Sequence, residues 1–253
     1  MGTVKPLWRF VFNASLLALV FHGWGADLIA AEEAPFTFVM IEYSGGSWQD
    51  VRAEQDAHVQ HFIPNFLKWL NLKKLILVKE QPLVLKLSDP QIFNYPLLFI
   101  NGHFAFQISD LEKQNLKTHL ERGGFLYIED CGGTSADQAV HGSFAKQIHE
   151  VVQSIFPEGK FQVLPASHDL YRFPFEFPNC LPNIYGVEND GSPETPAKKR
   201  KGQNGEGFYY RGRMVALFSD ADVCCGWDFN GAGPWGDIPF KVGANILTYA
   251  LTH

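Results

Sequence analysis

The sequence predicts an α/β fold, a single three-layer sandwich with a mainly parallel sheet between helices. Two observations carry this. Short apolar stretches of strand length alternate with longer helical ones, the order expected of βαβ units. Two of the helical stretches keep their apolar residues on one face at 3.6-residue spacing. Right-handed crossovers between parallel strands then put helices on both sides of the sheet. With 253 residues, 46% hydrophobic and 19% charged, the chain has the balance of a globular protein and the length for one large domain.

The first residues stand apart from that domain. Lys5 and Arg9 make a positive start, residues 11–20 are apolar apart from Asn13 and Ser15, and Gly25, Ala26, Ala30 and Ala31 follow. This is the layout of a secretory signal peptide. The apolar run falls short of the about 20 residues that span a bilayer. Residues 1–31 are expected to be removed near Ala31, although Ile29 suits that cleavage poorly. Residues 32–253 then form the single α/β domain, periplasmic or secreted, with no transmembrane span after cleavage.

Residues 36–43, FTFVMIEY, read as the first strand, turned at Gly45 and Gly46. Val59, Phe62, Ile63, Phe66, Leu67 and Leu70 form one face of a helix, with Pro64 expected to kink it or mark its first turn. Residues 75–78 and 83–87 are short strand candidates. Residues 97–101 form a buried strand ending at Asn101, Gly102 and His103. Ser109 and Glu112 have the capping-box spacing for the next helix, which Gly123 closes. Residues 125–129 form a strand running into Asp130, Cys131, Gly132 and Gly133. Phe144, Ile148, Val151, Val152 and Ile155 make the second helical stripe, stopped by Pro157. Residues 161–164 and 214–218 are further strands, and Phe240, Ala244, Leu247 and Leu251 line a last helix. Between them, about 171–207 is expected to be an irregular, mobile insertion, its Lys198, Lys199, Arg200 and Lys201 a solvated run.

Composition excludes some functions. A net charge of −6 argues against nucleic acid, which needs a basic stripe. There is no GxGxxG and no P-loop, and no HExxH, paired CxxC or EF-hand loop. No cofactor and no metal site are therefore expected. The partner is expected to be a small molecule or another protein.

In open α/β sheets ligands gather at the carboxyl ends of the strands. The residues expected there are Trp48 after the first strand, then Asn101 and His103, then Asp130 and Cys131, then His168, and finally Asp220, Asp222 and Trp227. Cys131 has three open readings: a nucleophile beside a base, half of a disulfide, or a small buried apolar residue. An adjacent Asp130 disfavours the thiolate of the first. A disulfide is expected to join Cys131 or Cys180 to the Cys224–Cys225 pair.

An ordered set of residues resembles a known bacterial family. It comprises Glu42 and Tyr43 closing the first strand, Tyr95 and Pro96 before the strand ending at Gly102 and His103, and Gly123, Gly124, Phe125 and Leu126 through Asp130. Phe156 and Pro157, Leu164, Pro165 and His168, Gly226 and Trp227, and Gly243, Ala244 and Asn245 up to Tyr249, Ala250 and Leu251 complete it. The chain is similar over most of residues 36–252 to domain-of-unknown-function family 4159. That resemblance implies a flavodoxin-like fold of the class I glutamine amidotransferase-like type. In the amidotransferases a Cys on a turn after a strand works with a later His. Here Cys131 holds the Cys place, Asp130 stands where they have Gly, and His168 with Asp169 comes later. The expected function is a non-catalytic ligand- or partner-binding module at the carboxyl edge. The alternative is a hydrolase or amidase using Cys131 or Asp130 with His168 as catalytic residues.

Overall fold

The computed structural model describes residues 34–131, 143–178, 205–229 and 236–253. The expected signal peptide, Gly132, Gly133, Cys180 and the Lys198–Lys201 basic run lie outside these residues. The strands are β1 (Val39–Glu42), β2 (Ser44–Gly45), β3 (Leu83–Lys86), β4 (Leu97–Gly102), β5 (Phe106–Gln107), β6 (Phe125–Asp130), β7 (Lys160–Val163), β8 (Glu206–Tyr210) and β9 (Arg213–Ser219). Seven of them form the central sheet in the order β3-β1-β4-β6-β9-β8-β7, and β2 and β5 form a small separate ladder. From β3 to β9 all neighbours are parallel, whereas β8 and β7 are antiparallel to theirs. The fold is therefore mixed α/β with a mainly parallel sheet, as expected. All six residues of β4 and of β6 are buried, which is what strands covered on both faces require.

Successive side chains of a strand point to opposite faces, so ring contacts report which helix covers which face. On one face Phe99 lies near Trp227 (6.2 Å between ring centroids) and Phe125 near Tyr249 (6.1 Å). This is the face of α3 (Ile63–Leu72) and the last helix, Ile238–Thr252. On the other face Phe218 meets His149 at 4.4 Å, and a Cβ on Gly102 would collide with Phe144 at 2.8 Å. Both of those side chains come from the helix Ser143–Ile155, which packs against α4 (Asp110–Glu121). In chain order the first two helices are α1 (Ser47–Asp50) and α2 (Arg52–Ala57), and the last two are α5 (Ser143–Ile155) and α6 (Ile238–Thr252).

The apolar stripe of α3 is buried at Ile63, Phe66, Leu67 and Leu70, as its spacing demands. Pro64 does not break the helix. It sits in the first turn of α3, after a π-helical stretch at His58–Phe62. Proline has no N–H to give and its ring crowds the carbonyl four residues back, so a wider turn before it relieves both problems. The capping box at Ser109 and Glu112 is formed in both directions.

Three expectations differ from the fold. Residues 75–78 make only an isolated bridge, Phe36 to Val78. β8 falls partly within the expected insertion. Its hairpin to β9 turns on Arg211 and Gly212, at φ 50° and 80°, which suits the twist of a two-residue hairpin loop. The start of the insertion is packed: Tyr171 is fully buried, and the Asn245 side chain accepts from the Phe175 N–H and donates to the carbonyls of Leu170 and Phe175.

Candidate functional site

Four side chains from three separate segments meet at the carboxyl edge of the sheet, on the α3 face. Cys131 follows the end of β6, Cys224 and Cys225 lie in the loop after β9, and His58 opens the π-helical stretch. One ligand atom from each falls within 4.8 Å of all the others. The Cys131 and Cys224 sulfurs are 3.3 Å apart, and His58 Nε2 lies 3.5 Å from Cys224 Sγ and 3.7 Å from Cys225 Sγ. His58, Cys131 and Cys224 are buried and Cys225 is partly exposed.

The local structure explains each placement. His58 Nδ1 lies 2.9 Å from the Glu54 carbonyl, which can only accept, so Nδ1 carries the proton and Nε2 turns its lone pair to the sulfurs. Asn101 Nδ2 donates to Cys131 Sγ at 3.6 Å, and the Cys131 N–H donates to the Gly102 carbonyl at 3.1 Å. The Cys224–Cys225 loop is tied to the sheet by Glu129. Its Oε1 accepts from the Val223 N–H at 3.0 Å and from the Ser219 hydroxyl at 3.1 Å, and Tyr127 bonds its other oxygen. Asp222, at φ 60°, starts the turn into the cysteine pair.

Burial and crowding set the electrostatics. Hydrogen bonds from the Cys224 and Cys225 thiols hold the Cys131 thiol well below its usual range against the opposing effect of burial. Burial pushes Glu129 and Asp222 well above the carboxylate range, and negative charge on Cys131 pushes both in the same direction. Beside the cluster His103 Nε2 lies 2.7 Å from Glu54 Oε1. Burial disfavours the His103 cation, but Glu54, Cys131 and Asp222 outweigh it and raise the imidazole to about 9.

The structure brings together Asn101, His103, Cys131 and Asp222 of the expected set, and separates the others. Asp130 alternates with Cys131 along β6 and so faces α5, where its charge acts on His149. His168 bonds Tyr209 and lies 5.3 Å from Tyr249, itself beside Phe125. Phe125 begins β6, so His168 sits at the opposite edge from Cys131, roughly 20 Å along six residues of strand. The expected Cys131–His168 pairing is therefore not formed. Trp227 is fully buried, stacked on Phe66 at 4.4 Å, and Trp48 is buried with its indole N–H on the Ile41 carbonyl. Both are core residues rather than ligand platforms. Asp220 is half-buried after β9. The expected disulfide is not formed at Cys131, Cys224 or Cys225, which are free thiols.

His58 and Glu54 were not among the expected site residues. His58 lies just before the recognised apolar stripe, and its polar partners are far away in sequence. A His six residues before a helical proline, in a chain with an adjacent cysteine pair, is the signal that existed.

A protein-family model described as a domain of unknown function (DUF4159) matches residues 37–251. No curated protein matches the chain. No described helix is long and apolar enough to cross a membrane.

Proposed function

The chain belongs to the DUF4159 family, and from that premise we propose that it is an exported, non-catalytic binding module whose ligand sits in the crevice of His58, Asn101, His103, Cys131 and Asp222–Cys225. The observation that carries this is a group of buried polar atoms without a hydrogen-bond partner among the described residues. They are Asn101 Oδ1, Asp222 Oδ1 and both amide atoms of Gln55, which neighbours His58 one helical turn away. Each such atom costs about 1–3 kcal/mol when left unpaired, so a site that keeps several is built around something that pairs them.

The fold reading that goes with this is class I glutamine amidotransferase-like. Cys131 at the end of the central strand β6 supports it. The enzyme alternative loses support from the geometry: a nucleophile needs a path to its substrate and a base within reach. Cys131 is buried among sulfurs, so the neighbouring His58 does not give it a path to a substrate, while Asp130 faces away and His168 is at the other edge. Native mass spectrometry of the mature protein isolated from the periplasm tests the proposal. The expected result is a mass above that of the polypeptide, released on denaturation. A bare chain that hydrolyses amide or ester substrates in a Cys131-dependent way would overturn it.

A further inference from the structure

We propose that the thiol–imidazole cluster in the wall of this crevice holds a zinc(II) ion, bound by Cys131, Cys224, Cys225 and the Nε2 of His58; the proposal goes beyond the binding-module reading, whose own ligand would meet the Asn101, Asp222 and Gln55 atoms beside the ion. The geometry fits a four-coordinate ion. Zinc bonds to sulfur at about 2.3 Å and to imidazole nitrogen at about 2.0–2.1 Å, which sets tetrahedron edges of about 3.8 Å between sulfurs and about 3.6 Å between nitrogen and sulfur. The corresponding separations are 3.3 Å, and 3.5 and 3.7 Å. Small outward movements of the sulfurs complete the cage.

The surroundings are those of a ligand set. A metal-bound histidine normally gives its other ring N–H to a fixed acceptor, and His58 gives Nδ1–H to the Glu54 carbonyl. Its Nε2 is buried, and among the described residues it faces the sulfurs of Cys224 and Cys225, weak partners for an imidazole lone pair that a cation satisfies better. The Asn101 amide donates to the Cys131 sulfur, which stabilises a thiolate. Three sulfurs and one imidazole, with no carboxylate among the four, select a soft ion and disfavour calcium or magnesium.

Four protein ligands leave no open position, so the ion is structural. It would clamp the π-helical stretch, the end of β6 and the loop after β9 at one point. The rival arrangement uses the same atoms: Cys131 and Cys224 are close enough that oxidation could join them and take two ligands away.

The test uses the full mature chain, reduced and stripped of metal, then titrated with ZnCl2 or CoCl2. Expected are about one ion per chain by elemental analysis, and tetrahedral thiolate–cobalt absorption bands. Cys225→Ser, at the most exposed ligand, and His58→Gln should each weaken binding more than ~100-fold, beyond the effect of losing a residue that only orients a ligand. Far-UV circular dichroism shows whether each variant is folded. Folded, reduced wild-type chain that takes up neither ion overturns the proposal, as does a Cys131–Cys224 disulfide in protein from the periplasm. A released adduct that contains no metal overturns the zinc assignment alone and leaves the binding module standing.

Discussion

Glu129 is the residue on which the site depends without any contact to a ligand. It is wholly buried, and burial holds its carboxyl protonated far above the ordinary range. In that form one oxygen accepts from Val223 and Ser219 while the other bonds Tyr127. A glutamine offers the same acceptor and a donor toward Tyr127. Glu129→Gln is therefore expected to keep stability within about 1 kcal/mol of wild type. Glu129→Ala leaves the Val223 N–H and the Ser219 hydroxyl unpaired and should cost about 3 kcal/mol, and it should loosen the cysteine loop. Urea unfolding of the two variants checks this. A Gln variant as unstable as the Ala variant would mean that Glu129 is used ionised.

At the scale of an element, α4 ends against β6 by a close fit. Gly123 takes φ 103°, the left-handed conformation that closes a helix, and a Cβ on Gly124 would lie 2.1 Å from His119 Nε2. Arg213 ties the same corner by donating to the Leu120 and Gly124 carbonyls. His119 is thereby enclosed. Burial, and then the Arg213 charge, lower its imidazole to about 4 from 6.5. The unfolded chain takes up a proton below about 6.5, but the folded chain only near 4. The stability is thus full above 6.5 and falls as pH drops toward 4, by roughly 3 kcal/mol over that window. His119→Gln should flatten that part of the curve relative to wild type. Thermal melts of both proteins from pH 4 to 7 measure it, and parallel curves would remove His119 as the cause.

For the whole molecule, the mainly parallel sheet explains why the site lies where it does. β4, β6 and β9 run in the same direction, so Asn101, Cys131 and the Cys224–Cys225 loop emerge at one edge although the cysteines are 93 residues apart. α2 and the π-helical stretch lay His58 over that edge from the α3 side. The proposed export matters at this scale too, because an oxidising compartment favours a disulfide over a thiolate cage. N-terminal sequencing of the protein from its native cell is expected to find a mature start near Glu32. A retained Met1 on cytoplasmic protein would end the export proposal.

The strand–helix alternation, the α3 and α5 stripes, the Ser109 cap and the carboxyl-edge position of Asn101, His103 and Cys131 were legible in the sequence, because each depends on neighbours a few residues away. Other features were not. β8 is short and lies against breaker-rich residues, and its place is set by pairing with β9 and β7. Trp227 reads as a ligand-binding aromatic in the loop after a late strand, yet the fold closes Phe66 over it. His168 follows a strand, but its loop folds back along α6 to the far edge. Asp130 and Cys131 are adjacent in sequence and opposed in space, since the pleat turns successive side chains to opposite faces. The cluster itself was beyond local reading, since no spacing rule links His58 to Cys131 and the Cys224–Cys225 pair. Only the crossovers of the sheet, burying three segments against one another, decide that one imidazole and three thiols share a point.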